Sequence, residues 1–462
     1  MNLVDSYFEH FRGKRIAVLG IGVSNRPLIA LLLSYGLQVT ACDKLPREEL
    51  DNEVLELERA GAVLRVGEGY LDGLEADVVF RTPGMHPDIP ILRKLRESGA
   101  VVTSEMEAFF SLCPCQIIGV TGSDGKTTTT TLIAEILKQA GKTVWIGGNI
   151  GTPLLPKVKQ MSPEDIAVVE LSSFQLMNMT QSPQVAVVTN LAPNHLDVHK
   201  DMEEYVQAKA NIFRHQSANQ RIVLNLDNEL TASFADVASG QVTGFSRRKA
   251  LKEGAWLQDG MIWHKGQPVM KQDEILLPGL HNVENYLAAI CATEDLASHE
   301  DVRTVARSFG GVEHRIELVR ELDGVRYYND SIASSPSRTI AGLHAFDQKV
   351  ILIAGGYDKQ IPFDALGPEI VAHVKHLILC GATAEKIRHA VITSPDYRSE
   401  ELPIDTVATL QEAVSLANNC AMPGDVVTLS PACAAFDQFK NFMVRGAVYK
   451  ELVHGLKEDG AC

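Results

Sequence analysis

A chain of 462 residues that is 45% hydrophobic and 22% charged has the composition of a soluble globular protein and the length of about three domains. Its formal charge of −15 argues against a nucleic-acid partner, whose phosphates it would repel, but leaves room for phosphate-bearing small molecules that need only a local positive pocket. No uncharged apolar stretch is long enough to cross a bilayer, Met1 to Arg15 lacks the apolar centre of a signal peptide, and among eight cysteines only Cys113 and Cys115 lie close together, so neither structural zinc nor a disulfide framework is expected and a reducing cytoplasm is the simplest setting.

The first third alternates strands and helices. Lys14 to Gly20 reads as a strand, followed by the turn Gly20-Ile-Gly22-Val23-Ser24-Asn25 and an apolar helix from Pro27 to Tyr35. Gln38 to Asp43 is the next strand and ends on an acid. This resembles the opening of a dinucleotide fold, with Asn25 where the third glycine of that pattern stands. A nucleotide diphosphate on this turn, with Asp43 near its ribose or base, is the expected ligand; tight turns in a plain doubly wound subdomain are the alternative. Ala76 to Gly84 is a later strand and turn whose end, Thr82-Pro83-Gly84, should face the same crevice. The domain boundary is expected near Glu105-Met106-Glu107, before an apolar strand resumes.

That strand, Cys115 to Val120, leads into Thr121-Gly122-Ser123-Asp124-Gly125-Lys126-Thr127-Thr128 and a helix to Gln139. Glycines let backbone N–H groups curl around phosphate oxygens, and a helix N-terminus favours negative charge. Lys126 is placed to neutralise the β- and γ-phosphates of ATP, and the Thr127 hydroxyl to hold Mg²⁺. One residue departs from the standard phosphate loop: Val120 stands where the first glycine belongs. Beyond the loop come a turn with a lone amide side chain, Asn149, and a strand from Asp165 with Glu170 at its end, ahead of Leu171-Ser172-Ser173. A carboxylate at the tip of a neighbouring strand binds or positions Mg²⁺ in such proteins. The strand from Gln184 to Asn190 leads into Asn194-His195-Leu196-Asp197, a group able to hold a second Mg²⁺. Glu203 to Arg214 reads as a helix, and from the residues alone its Lys209 is a solvated surface lysine.

The last third is again α/β. Val325 to Asn329 is a strand before Asp330-Ser331, and further strands begin at Lys349, His376 and Asp425. A doubly wound domain follows, with its strand ends toward ligand.

Taken together, Thr121 to Thr128, Glu170 to Leu176, Asn194 to Asp197 and Gly279-Leu-His-Asn282-Val-Glu-Asn285 resemble, in this order, the Mur ligase family, ATP-dependent amide-forming enzymes of cell-wall precursor synthesis. The resemblance implies three α/β domains: a Rossmann-like domain over residues 1–106 for a UDP-linked substrate, a central P-loop-type ATPase domain over 107–311 and a doubly wound amino-acid-binding domain over 312–462. It implies that Lys126 and Thr127 serve ATP and Mg²⁺, that Glu170 and His195 lie at two metal ions, that Asn282 touches adenine, and that Arg315, in Gly311-Val-Glu-His-Arg315, reaches an ATP phosphate, with Asp330 joining it. Lys209 matches a lysine carbamylated by CO₂. The segment from Leu429 through Phe436 and Phe442 to Gly446, together with Val23, Ser24 and Asp43, is similar to the branch that adds D-glutamate to UDP-N-acetylmuramoyl-L-alanine. Gly84, Asn149, Ser172, His195, Phe436 and Phe442 are carried over as substrate contacts. Two positions depart from the family's pattern: Ile332 stands where a lysine follows Asn-Asp-Ser, and Ala435 where a serine precedes the residue at Phe436. Lys359, with Arg338 beside it as a candidate, is expected to supply the cation for the D-glutamate side chain. A sister ligase adding L-alanine to UDP-N-acetylmuramate, a dinucleotide-binding oxidoreductase resting on Gly20, Gly22 and Asp43, and a nucleotide-driven switch remain competing readings. A cytoplasmic monomer with small-molecule substrates, and neither nucleic-acid nor membrane partners, is expected.

Overall fold

The computed structural model describes residues 3–193, 199–358 and 361–457. They form three sheets carried by two compact units, 1–274 with 283–305, and 275–282 with 306–462. The first unit carries two sheets.

The smaller of these has five parallel strands: β1 (Ile16–Leu19), β2 (Val39–Asp43), β3 (Val63–Val66), β4 (Val78–Arg81) and β5 (Val101–Thr103), in the order β3-β2-β1-β4-β5. The chain builds outward from β1 on one side, then returns to its other side. The switch point therefore lies between β1 and β4, the place where open α/β sheets bind ligands. Both strands are buried along their whole length. That is why they read as continuous apolar runs rather than alternating ones.

The larger sheet contains β6 (Gln116–Thr121), β7 (Val144–Gly148), β8 (Ile166–Glu170), β9 (Val185–Val188), β10 (Arg221–Asn225), β11 (Gln241–Ser246), β12 (Ala255–Gln258), β13 (Met261–His264) and β14 (Gln267–Lys271), ordered β14-β13-β12-β11-β10-β9-β6-β8-β7. From β7 to β12 it is parallel; β12, β13 and β14 add an antiparallel meander. β6 sits between β8 and β9, so three strand ends converge on the loop that follows it. Buried side chains of both sheets, among them Val18 and Phe80 from the first and Ile117 and Val169 from the second, belong to one continuous apolar cluster. Each such side chain contributes about 1.5–3 kcal/mol on burial, which is what welds the two sheets into one unit. The stretch expected to mark their boundary is a helix, Glu105–Leu112, started by Ser104, whose hydroxyl accepts the N–H of Glu107. Glu105 itself is buried, accepts the N–H of Leu155 at 2.9 Å, and is pushed up by burial to about 7.

The second unit holds β15 (Glu317–Leu322), β16 (Val325–Asn329), β17 (Val350–Ala354), β18 (Val374–Leu379), β19 (Ile404–Thr406) and β20 (Val426–Leu429), in the order β15-β16-β20-β17-β18-β19. It is parallel except for the edge hairpin β15–β16. Helices cover both faces over two apolar clusters.

Candidate active site

The loop after β6 is built for a bulky anion. Gly122 and Gly125 adopt φ of +151° and +75°, conformations that a side chain makes costly. Space forbids one as well: a Cβ on Gly122 would lie 1.9 Å from Thr189 Oγ1, and one on Gly125 2.5 Å from Asn285 Oδ1. The helix Lys126–Gln139 starts at Gly125 with no side-chain cap. Its first N–H groups therefore remain available to a ligand. Several other helices are capped by a side chain, as by Asp51, Asp201, Thr409 and Asn441.

Side chains from distant segments brace this loop. Thr189 Oγ1 donates to the Asp124 carbonyl at 2.6 Å, and Asn190 Oδ1 accepts the Asp124 N–H at 2.9 Å. The Ser123 hydroxyl meets the Tyr205 hydroxyl at 2.9 Å. Lys126 Nζ donates to the Ser123 carbonyl at 2.8 Å, and Thr128 is half-buried on the first turn. Thr189, Asn190 and Tyr205 carry no motif of their own and are found only by their neighbours, whereas Asn285 closes the Gly279–Asn285 stretch and is set against Gly125 by the fold.

Glu170 ends β8 and is 1% exposed. Its carboxylate accepts from Thr127 Oγ1 at 2.7 Å and from Asn149 Nδ2 at 2.7 Å. Among the described residues these two hydrogen-bond partners are neutral groups, a hydroxyl and an amide. That donor set of carboxylate, hydroxyl and amide oxygen fits a hard divalent ion such as Mg²⁺. Ser172 is occupied differently: it caps the short helix Ser173–Leu176, in a reciprocal box with Gln175. His195, with Asn194 and Asp197, lies outside the described residues.

Lys209 corrects the reading made from the residues alone. It is not a solvated lysine but is 2% exposed. The helix Met202–Arg214 turns it inward, where Nζ donates to the Gly122 carbonyl at 2.7 Å and to Thr121 Oγ1 at 3.3 Å, 4.9 Å from the centre of the Tyr205 ring. Burial first, then repulsion by Lys126, holds its ammonium well below the ordinary lysine range, opposed by attraction to Glu170 and Asp124. A lowered ammonium pKa raises the share of free amine, the form of a lysine that acts as a nucleophile.

In the first sheet, Gly20 and Thr82 meet at the switch point, where a Cβ on Gly20 would lie 2.8 Å from Thr82 Cγ2. Asp43 accepts the Ile21 N–H at 2.6 Å and the Leu45 N–H at 3.1 Å, so it shapes both flanking turns. Asn25, in the position of the missing glycine, donates to the Gly20 and Leu19 carbonyls at 2.8 and 3.3 Å. Val23 is 76% exposed, Ser24 is half-buried without a cap bond, and Gly84 is exposed in the turn after β4. Arg81, missed in the sequence, is buried and holds that turn through the Met85 carbonyl at 3.0 Å, reaching the Phe174 carbonyl at 3.3 Å.

In the second unit, Asp330 follows β16 and is buried; it accepts the Ser430 hydroxyl at 2.7 Å and is pushed up by burial to about 7, against the pull of Arg315. Arg315 is flanked by two left-handed residues, His314 at φ +65° and Ile316 at +43°, a backbone that costs energy outside glycine. Asn282 Nδ2 donates to the Pro278 carbonyl at 2.6 Å. The Phe442 carbonyl accepts from Ser331 at 2.8 Å; Phe436 is 61% exposed, edge-on to Tyr357 with ring centres 5.8 Å apart. Arg338 is exposed and donates to the Ile332 carbonyl at 3.3 Å. Lys359 lies outside the described residues. Arg445 is buried, spends its guanidinium on Ser331, Cys433 and Ala434, and is lowered by burial to about 10.

A braced phosphate loop, a buried carboxylate on the adjoining strand end and a buried lysine beneath the loop define a nucleotide-dependent enzyme of the α/β class, and family comparison agrees. Residues 120–293 match the Mur ligase middle domain, and residues 314–433 match the glutamate ligase domain of Mur ligases. The chain belongs to the Mur ligase family. It is 53% identical over 461 residues to UDP-N-acetylmuramoylalanine--D-glutamate ligase of Acetivibrio thermocellus, covering 98% of this chain and 99% of that one. The enzyme of the same name from Clostridium botulinum is 53% identical over 449 residues, covering 97% and 98%. The structure of a UDP-N-acetylmuramate-alanine ligase from Thermotoga maritima matches with a TM-score of 0.59 at 18% identity, over 96% of this chain and 100% of that one. That last likeness is one of fold.

Proposed function

We propose that this chain is an ATP-dependent ligase that joins D-glutamate to UDP-N-acetylmuramoyl-L-alanine in peptidoglycan precursor synthesis. The observation that carries the reading is full-length likeness to D-glutamate ligases, together with a loop in which Lys126 folds onto the Ser123 carbonyl and Thr127 onto Glu170. A carboxylate does not react with an amine until its oxygen becomes a leaving group. ATP supplies this by phosphorylating the terminal alanine carboxylate to an acyl phosphate, which the D-glutamate amine then attacks, expelling phosphate.

Phosphoryl transfer demands charge neutralisation and alignment more than covalent help. Lys126 and the uncapped helix N-terminus offer the first of these, and Gly122 to Thr128 the second. Two Mg²⁺ ions, assigned to Thr127, Glu170, His195 and a carbamate on Lys209, supply further charge neutralisation when bound. Burial and depressed basicity support the carbamate. Asn282, Arg315 and Asp330 are assigned to ATP, and the β1–β4 crevice with Val23, Ser24, Asp43 and Gly84 to the UDP group. Asn149, Ser172, Phe436 and Phe442 are assigned to the remaining substrate contacts, and Lys359 to the D-glutamate carboxylate. We assign residues 1–106, 107–311 and 312–462 to the UDP, ATP and amino-acid domains, and a cytoplasmic monomer as the working form. No helix among the described residues is long and apolar enough to cross a membrane.

Phosphate release from ATP with UDP-N-acetylmuramoyl-L-alanine tests the reading. D-glutamate should stimulate it, whereas L-alanine and lysine should not. Equal stimulation by L-alanine on UDP-N-acetylmuramate would move the chain to the sister branch.

A further inference from the structure

The second unit brings two histidines and a glutamate together on a face that the proposed chemistry does not use. His344 is the C-cap of the helix Pro336–Leu343, and His373 is the last residue of the helix Leu366–His373, one turn after Glu369. His344 Nε2 lies 2.6 Å from Glu369 Oε2, and His373 Nε2 lies 3.6 Å from the same oxygen. The two imidazole rings are 4.8 Å apart, centre to centre, and one ligand atom from each of the three residues lies within 4.8 Å of the others. Ligand atoms on a tetrahedral zinc ion sit about 3.3 Å apart, given bonds of ~2.0–2.1 Å. The His373–Glu369 pair already has nearly that spacing; the His344–Glu369 pair need open by only about 0.7 Å.

Two further features favour a cation here. Both histidines stand at helix C-termini, whose unpaired carbonyls carry partial negative charge. One of these ends already attracts a cation, since Lys349 Nζ donates to the Val371 carbonyl at 3.1 Å. All three side chains are partly exposed, which leaves a path for entry and a position for water.

We propose that His344, Glu369 and His373 form a site for one divalent transition-metal ion of the zinc class, tying together the ends of two helices. Two imidazoles and one carboxylate select such an ion over Mg²⁺, which prefers all-oxygen ligation. The ion takes the place of the proton shared between His344 Nε2 and Glu369; that proton moves to Nδ1 or leaves to solvent. The bridge has a structural reach. His344 lies two residues after Gly342, where a Cβ would approach Asp330 Oδ2 to 2.8 Å, so the bound ion stiffens the helix against which Asp330 is packed.

The test is calorimetric titration of the full-length protein with Zn²⁺ in excess Mg²⁺, which keeps the nucleotide site supplied with its own cation. The wild-type protein should take up one equivalent beyond that seen in a His344→Ala/His373→Ala double variant, and its melting temperature should rise with Zn²⁺ while that of the variant does not. Glu369→Gln, which keeps an oxygen to accept from His344, should lower affinity on the order of tenfold. Both histidines are partly exposed, so the double variant in EDTA should melt as the wild type does in EDTA. Equal zinc uptake by wild type and double variant, or none by either, overturns the site.

Discussion

The loops after β1 and after β6 are two versions of one device: a buried strand, a glycine turn and a helix that begins without a side-chain cap. Their surroundings make them differ. The loop after β6 has Lys126 folded over it and Lys209 beneath it. The loop after β1 has Arg26, but that guanidinium is already paired with Asp51 and Glu53 at 2.7 Å each, and Asp43 and Asn25 occupy the backbone groups around the turn. The first loop therefore holds its own shape with internal hydrogen bonds, whereas the second gathers basic side chains around the place a phosphate would take. Glycine spacing specifies that a turn can approach phosphate closely; groups from elsewhere decide how much negative charge it will accept.

The largest expected effects lie in the charged loop. Lys126→Ala should lower the ligation rate on the order of 10²-fold or more, if its charge has the proposed role on the transferring phosphoryl group. Lys209→Ala should be nearly inactive and partly restored by short-chain carboxylic acids. Lys126→Ala at native speed would remove the distinction drawn between the loops. Next comes Gly122→Ala, which sets a methyl against Thr189 and forces a strained φ. It should destabilise the protein by about 2–3 kcal/mol in urea unfolding, and a normal midpoint with an unchanged slope would contradict the crowding argument.

Lys209 also gives the charged loop a pH signature. Its native pKa lies well below the ordinary 10.5, so the unfolded chain binds more protons in the interval between the two values. Stability in CO₂-free buffer should therefore rise with pH through that window, at up to about 1.4 kcal/mol per pH unit, and flatten above it. Lys209→Met should abolish the slope; a slope that persists in the variant assigns it to another group. The smallest effects belong to the first loop. Asn25→Gly, which restores the dinucleotide pattern but removes two hydrogen bonds, should cost about 1 kcal/mol and should not create nicotinamide binding in a fluorescence titration. Asp43→Asn should raise the apparent KM for the UDP substrate several-fold and leave that for ATP unchanged, and equal changes would separate Asp43 from the UDP site.

Much of the candidate site was legible in the sequence. The phosphate loop, Glu170 at a strand end and the Asp43 strand all carry local signatures, because strands buried on both faces are continuous apolar runs and glycine turns have a fixed position after them. The antiparallel meander from β12 to β14 was not legible. Its strands mix buried with half-buried and exposed positions, so they lack the continuous apolar run that marks β1 and β4. Nor was the bond by which Ser172 caps the helix Ser173–Leu176 legible, since a hydroxyl in sequence does not announce its partner.

Local patterning and turn chemistry were enough to specify which segments become strands, where the phosphate loop falls and which family the motifs resemble, since these depend on neighbours a few residues apart. Folding alone settled the state of Lys209. Nothing within its own helix distinguishes it from an exposed lysine; desolvation by the packed loop and repulsion from Lys126 do. Both arise from residues more than eighty positions away, brought close only when β6, β8 and β9 assemble into one sheet.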